Sequence, residues 1–254
     1  MNKPFYIQLL GPTATGKTDL AIALAQTIPS QIISVDSVMV YRGFDVGSAK
    51  PTIDEQRGIP HHLIDIESPE HLVFNGYEFC QQALELIHTI CNQKKCPILV
   101  GGTMMYAHLL QNIYPQGMPK TDLQLRHTYE EQAKTKEGRA ALYRRLIKES
   151  MNPVHINAND TKRIIRQLEI LHTNNLANHV KVTMPEVLSV HIHVNDREAH
   201  LKHMENRFKY MLDKNFIDEC EALMPIYDKH YNHPVFKSIG YAQAMAYLKG
   251  QFDF

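Results

Sequence analysis

The sequence has no excess charge of either sign: 27 Lys and Arg are matched by 27 Asp and Glu over 254 residues. That argues against a protein that coats nucleic acid or membrane through its overall field, while leaving room for a local basic surface. The balance assumes neutral histidines; there are 15 of them, so mild acidification turns the chain positive. Cysteine is scarce. Cys80, Cys91, Cys96 and Cys220 are too few and too scattered for a disulfide scaffold, and Cys91 and Cys96 lack the two-residue spacing of a zinc knuckle. Ordinary reduced thiols are expected. No apolar run approaches the roughly 18–20 residues of a membrane span. The first apolar run, residues 5–10, is too short for the core of a signal peptide and leads straight into Gly11-Pro12. It reads as a strand, and a cytoplasmic protein is expected. Repeats and low-complexity tracts are absent as well.

What is present suits a folded protein. A 44% apolar fraction fills a core, and 21% charged residues is ordinary for a soluble domain, so a folded chain is expected. The length fits one large domain or two small ones. Strands are expected over residues 5–10, 31–35 and 97–100, with helices over 18–27 and 77–91 between them. The first helix places Leu20, Ala23, Leu24 and Thr27 on one side, and the second places Phe79, Ala83, Leu86 and Ile90 in an apolar stripe. Strands separated by helices imply a parallel sheet. The middle differs. Pro115 to Pro119 reads as a linker, followed by helices over 122–134, 138–149 and 160–173, broken by Gly138 and by Asn152-Pro153. A strand over 187–194 then leads to Asp196, a plausible N-cap for a helix through Leu212 with Leu201, Met204, Phe208 and Met211 inward. A last helix is expected over 241–248. The expected architecture is an α/β core, residues 1–115 and 180–254, interrupted by an all-helical insertion, residues 116–179.

The strongest signal is Gly11-Pro12-Thr13-Ala14-Thr15-Gly16-Lys17-Thr18, which matches G-x-x-x-x-G-K-[ST] in full between an expected strand and an expected helix. The glycines let the backbone curl so that successive N–H groups point at one oxyanion, and the helix adds its positive end. Lys17 neutralises phosphate charge, and the Thr18 hydroxyl can ligate Mg²⁺. The chain therefore binds a di- or triphosphate, which the loop alone does not identify.

Three features narrow the choice. Asp36 follows the second strand, at the sheet edge where ligand sites of open α/β sheets form, and could be a magnesium ligand, a general base or a cap. The third strand ends in Gly101-Gly102-Thr103 and lacks the strand-end carboxylate of ATPases, which counts against a motor or a GTPase. Residues 126–166 carry ten Lys and Arg against five Asp and Glu, a net +5. In the 160–173 helix Ile164, Leu168 and Leu171 form one stripe, with Lys162 and Arg166 opposite and Arg163 beside them. Such a face suits phosphate-backbone contact, or is simply solvated.

Taken together, these residues resemble the tRNA dimethylallyltransferase (tRNA isopentenyltransferase) family. The resemblance rests on the phosphate loop, on residues 34–43 from Ser34 through Asp36 to Gly43, on Gly47-Ser48-Ala49-Lys50-Pro51-Thr52 and on residues 58–65. It continues through residues 100–106, Asn159-Asp160, residues 163–166, Leu168-Glu169 and Ile239-Gly240-Tyr241, in the family's order over about nine-tenths of the chain. It implies a P-loop NTPase-like parallel sheet flanked by helices, carrying an inserted helical tRNA-binding domain. The implied reaction uses no ATP. Gly11, Thr13, Ala14, Thr15, Gly16, Lys17 and Thr18 would hold the diphosphate of dimethylallyl diphosphate, and Mg²⁺ would sit on Thr18. The exocyclic amine of the adenosine 3′ to the anticodon would attack the allylic carbon, in tRNAs reading codons that begin with U. Asp36 matches the family's general base. Ser37, Val38, Met39, Thr103 and Arg126 match positions along the tRNA path, to which the basic face adds Lys162, Arg163 and Arg166. A monomer with no membrane association is expected. The other readings are a P-loop small-molecule kinase, with the basic arm as a lid, and a non-catalytic RNA-binding module.

Two departures from the family pattern stand out. Met39 replaces the usual glutamine, and methionine packs but donates and accepts poorly. The sequence given stops at Phe254, before the basic helical segment that family members add after the equivalent of Ile239-Gly240-Tyr241, from which weaker tRNA affinity is expected. His61-His62 reads as structural or substrate-lining and not metal-binding. Strand alternation would put His191 and His193 on one face near His200 and His203, without making a zinc site. Met104 and Met105, beside Tyr106, read as channel wall or core.

Overall fold

The computed structural model describes residues 4–71, 73–150, 155–174 and 182–251. The β-branched and apolar runs form five strands: β1 (Phe5–Leu10), β2 (Ser30–Ser34), β3 (His61–His62), β4 (Cys96–Gly101) and β5 (Glu186–His191). They pair in the order β3-β2-β4-β1-β5, every pairing parallel, with Ile7 opposite Ile98 and Leu188, and Ile32 opposite Ile98 and His61. This is the expected fold class, a parallel sheet flanked by helices. Because side chains alternate along a strand, Ile7, Leu9, Ile32, Ile98 and Val100 share one face, and they pack with Ala21, Ile22 and Ala25 of α1 (Lys17–Thr27). Tyr6, Leu10, Ile33 and Leu99 alternate to the other face, and α2 (Gly76–Asn92) packs against β1, β2 and β4. Asn75 caps α2 in a capping box with Glu78.

Three expected helix faces are corrected. In α1 the core side is Ala21, Ile22 and Ala25, whereas Leu20 and Ala23 are exposed. The phosphate loop sets the start of the helix and hence its rotation, which places Lys17, not Leu20, on the buried side. In α2 the stripe holds for Phe79, Ala83 and Ile90, but Ile87 is buried where Leu86 is only half-buried. In α7 (Arg197–Asp213), capped by Asp196 as expected, no residue is fully buried; Leu201, Met204 and Phe208 are exposed and Met211 is half-buried. The side of α7 that faces inward is the polar one, described below. β5 ends at His191, three residues earlier than expected, so alternation does not pair His191 with His193.

After α7 comes α8 (Phe216–His230), a helix with no counterpart among the expected elements; it tolerates Pro225 in its interior and begins after Asn215 in the left-handed conformation. The last helix, α9 (Tyr241–Leu248), has the expected bounds. A short helix, α3 (Met104–His108), follows β4 and brings Tyr106 to stack on Phe79 at 4.6 Å.

The chain divides into two compact units, Met1–Gln111 with Met184–Phe254, and Asn112–Thr183. The second is helical: α4 (Leu123–Gln132), α5 (Lys136–Glu149) and α6 (Thr161–Asn174), around Tyr129, Leu142, Leu146, Ile164, Ile165 and Leu168. Gly138 does not break a helix. It lies in the first turn of α5, its N–H bonded to the Thr135 cap. The expected break at Asn152-Pro153 and the end of the insertion near residue 179 fall outside the described residues.

Candidate active site

The site begins where β1 runs into the phosphate loop. Gly16 is the N-cap of α1 at φ 73° and ψ 18°, a left-handed conformation that glycine adopts without cost. Having no side chain, it leaves the first N–H groups of α1 uncapped, and residues Thr13 to Asp19 line one wall of a cavity of about 1030 Å³. A helix start of this kind attracts an anion. Gly11 lies behind that wall, against Ile192. Lys17 is 8% exposed; its Nζ donates to the Pro12 carbonyl and, at 3.4 Å, to Thr15 Oγ1. Burial and the neighbouring Arg207 cation hold the ammonium below the ordinary lysine value, against the pull of Asp36.

A second part of the lining follows the ends of β2 and β4. Asp36 Oδ1 accepts from the backbone N–H of Val38 at 2.8 Å and of Met39 at 3.1 Å, so it does cap the turn that follows it. It does so inside the cavity, beside Ser37, Val38, Met39 and Thr103. The Thr103 N–H donates to the Val35 carbonyl at 3.1 Å, and its Oγ1 accepts from Ser37 N at 3.2 Å, tying the two strand ends together. Met39 puts its thioether near the Ser34 hydroxyl at 3.9 Å, a weak contact.

The third wall contains what sequence reasoning missed. His203, Asn206, Arg207 and Tyr210 of α7 line the cavity, a polar stripe at helical spacing on the helix after the last strand. That spacing was available in the sequence, but the apolar stripe Leu201, Met204 and Phe208 competes with it. Arg207 Nη2 donates to the Ser48 carbonyl at 3.3 Å. Burial holds its guanidinium below the ordinary arginine value, with Asp36 opposing. Two cations and a carboxylate thus meet in one hollow. Next to it lies a smaller hollow of about 400 Å³ where His193, His200 and His203 approach Thr15 and Gly16.

His61 and His62 form β3. His61 Nδ1 bonds the Ile59 carbonyl at 2.8 Å and His62 Nε2 bonds Gln31 Oε1 at 2.7 Å; burial lowers the pKa of both. His61 also lines the cavity. Met104 and Met105 are not core, being 46% and 59% exposed at the start of α3. Among the described residues no three His, Cys, Asp or Glu side chains come together as a metal-holding group.

Arg126, Lys162, Arg163 and Arg166 all belong to the helical unit, where they separate into two kinds. Glu169 is wholly buried. Its Oε1 accepts from Asp122 N at 2.9 Å and from Arg166 Nη1 at 2.6 Å, and its Oε2 from Arg126 Nη2 at 2.7 Å and Nε at 3.1 Å. Arg166 also donates to the Pro119 carbonyl at 2.8 Å. Arg166 is therefore not on the solvated face expected for it, because the buried carboxylate draws it in. Lys162 and Arg163 are exposed, Arg163 with its Nε 3.3 Å from Asp160 Oδ2.

The chain is similar to known proteins over its whole length. A family model described as IPP transferase matches residues 39–254. The tRNA dimethylallyltransferase of Coxiella burnetii (strain RSA 331) is 38% identical over 100% of this chain and 84% of its own length, and that of Legionella pneumophila (strain Paris) is 37% identical over 100% and 82%. The crystal structure of the full-length tRNA isopentenylpyrophosphate transferase of Bacillus halodurans matches with a TM-score of 0.67 at 31% identity, covering 99% of this chain and 80% of that one. A eukaryotic dimethylallyltransferase acting on tRNA matches with a TM-score of 0.76 at 22% identity, covering 97% of this chain and 64% of that one, a likeness of fold. On the family model and on relatives of this identity at full coverage, the chain belongs to the IPP transferase family.

Proposed function

We propose that this chain transfers a dimethylallyl group from dimethylallyl diphosphate to N6 of the adenosine on the 3′ side of the anticodon, in tRNAs reading codons that begin with U. The observation that carries this reading is the meeting of Lys17, Arg207 and Asp36 in one cavity beside the uncapped start of α1. In the reaction the bond between the allylic carbon and the diphosphate oxygen breaks as the bond from N6 to that carbon forms. Charge develops on the departing diphosphate, where the loop N–H groups, Lys17 and Arg207 stabilise it. The attacking amine sheds a proton, and Asp36 is the carboxylate in the cavity to take it. Val38 and Met39 N–H groups hold Asp36 Oδ1 in place, which orients the carboxylate without consuming both oxygens.

The Thr18 hydroxyl in the first turn of α1, together with diphosphate oxygens and water, makes an all-oxygen donor set that fits Mg²⁺. Mg²⁺ bound there would add positive charge to the diphosphate side. The target base has to leave its loop to reach such a cavity, a mode usual for enzymes that modify bases. Ser37, Val38, Met39 and Thr103 line its path; Arg126 is read as a further tRNA contact, and Lys162 and Arg163 as phosphate contacts. We read the protein as a cytoplasmic monomer; no helix of the described residues is long and apolar enough to cross a membrane.

The phosphate loop and Asp36 would also suit a kinase, but β4 runs into Gly102-Thr103 with no acid at its end, and the relatives described above are tRNA dimethylallyltransferases. The test supplies dimethylallyl diphosphate and unmodified tRNA, then seeks prenylated adenosine by mass spectrometry. Product at that single adenosine supports the proposal. No product, with ATP turnover on a small alcohol, would restore the kinase.

A further inference from the structure

The backbone from Phe44 to Pro51 forms part of the cavity wall, through Ser48, Ala49 and Pro51, and its shape is imposed from outside the cavity. Glu219 of α8 aims its carboxylate at three successive N–H groups. Oε2 accepts from Asp45 at 3.0 Å and from Val46 at 2.6 Å, and Oε1 from Gly47 at 3.2 Å. The wholly buried Tyr241, at the start of α9, donates its hydroxyl to Oε1 at 2.6 Å. Burial first, and then the Glu219 carboxylate, raises the Tyr241 pKa far above the ordinary value, so this hydroxyl stays a donor. Gly47 comes so close that a Cβ there would lie 2.2 Å from Phe216 Cε2 and 2.6 Å from Tyr241 Cζ. The far end of the segment is also held, because Lys50 Nζ donates to the Tyr41 carbonyl at 2.9 Å and to Asp45 and Asp65, each at 2.5 Å. Between these two anchors lies Ser48, whose carbonyl accepts from Arg207.

We propose that Glu219, with Tyr241, is a positioning pair: it fixes the 45–47 backbone so that the Ser48 carbonyl orients the Arg207 guanidinium toward the diphosphate. Naming the diphosphate rests on the function proposed above. Neither Glu219 nor Tyr241 lines the cavity, so their influence on that ligand has to pass through the loop. Only a carboxylate suits the position. A glutamine there would turn an N–H₂ group toward backbone N–H donors and leave at least one of them unmet.

The test uses the full chain as wild type, Glu219→Gln, Tyr241→Phe, Arg207→Ala and the two doubles with Arg207→Ala. Affinity for inorganic diphosphate is read by calorimetry, beside tRNA affinity and transfer kinetics. Glu219→Gln should weaken diphosphate binding about tenfold and raise the KM for dimethylallyl diphosphate in step, with tRNA affinity held within about twofold. Tyr241→Phe should do the same by roughly threefold. On top of Arg207→Ala, Glu219→Gln should cost less than about twofold, because the group it orients is gone. Unchanged diphosphate affinity, the full tenfold loss persisting in the double variant, or an equal loss of tRNA affinity would each overturn the proposal. If Glu219→Gln fails to fold, Tyr241→Phe carries the same comparison. A wild type that binds diphosphate yet prenylates no tRNA would sink the proposed reaction, while the binding cycle would still decide the positioning role.

Discussion

Burial and the neighbouring Arg207 both disfavour the Lys17 ammonium, and only Asp36 pulls the other way. A bound diphosphate would reverse that balance, since a polyanion favours the charged lysine. The sign of the pH dependence follows. The ammonium loses its proton at a lower pH than an ordinary lysine, so diphosphate affinity falls as the pH rises through that lowered value. The ligand titrates in the same region, and Lys17→Arg, which keeps its charge, removes the ligand's contribution by comparison. Calorimetry from neutral to alkaline pH should show wild-type affinity falling more steeply than that of Lys17→Arg. Parallel curves would mean that Lys17 does not touch the ligand. Removing the cation altogether, in Lys17→Ala, should slow transfer roughly a hundredfold. The residues of this wall were legible in the sequence because their spacing is itself the chemistry. Arg207 was not, because it is 190 residues from Lys17 and the polar stripe that carries it competes with the apolar stripe Leu201, Met204 and Phe208.

Among the elements, those fixed by local chemistry were read well and those fixed by tertiary contacts less so. β1, α2 and α9 have strong periodicity or capping, and their bounds fall within a residue of expectation. The faces of α1 and α7 differ from expectation for separate reasons: the phosphate loop sets the rotation of α1, whose core side is Ala21, Ile22 and Ala25, whereas α7 turns a polar side to the cavity, so its hydrophobic stripe does not report which side is inward. In α8, Pro225 discourages a helix that tertiary packing of Phe216, Cys220 and Leu223 nonetheless holds. The basic face of α6 shows the same limit. Lys162 and Arg163 project into solvent, while Arg166 and Arg126 converge on the buried Glu169. The two kinds should respond differently to mutation. Lys162→Glu with Arg163→Glu should weaken tRNA binding and flatten its salt dependence while leaving the melting temperature nearly unchanged. Glu169→Ala should instead destabilise the helical unit by roughly 3 kcal/mol, because it strands two arginines around a buried gap. Equal salt slopes before and after the double charge reversal would return that face to plain solvation.

For the molecule as a whole, the net charge of zero conceals a segment of net +5 between residues 126 and 166 against a remainder of −5. Acid adds a second asymmetry. Burial, the leading cause in each, holds His61, His62 and His233 below the ordinary value near 6.5. For groups of this kind the unfolded chain takes up protons first. Stability is therefore unaffected by them above about pH 7 and declines as the pH falls through 6.5 toward their lowered folded values. Denaturant midpoints at pH 7.5 and 5.5 should differ, and the difference should shrink when His62 and His233 are replaced by Gln; an unchanged difference would assign the acid loss to other groups. The chemistry proposed for the cavity joins a prenyl group to an adenosine amine as a carbon–oxygen bond breaks, with Asp36 as the proposed acceptor of the proton. The most direct test follows both products together, prenylated adenosine and free diphosphate, from dimethylallyl diphosphate and unmodified tRNA without ATP. One diphosphate per modified adenosine is expected in the wild type, and in Asp36→Ala a rate reduced by roughly a hundredfold or more with tRNA binding retained within a few-fold. Diphosphate released without prenylated adenosine, or an Asp36→Ala variant as fast as wild type, would contradict this chemistry.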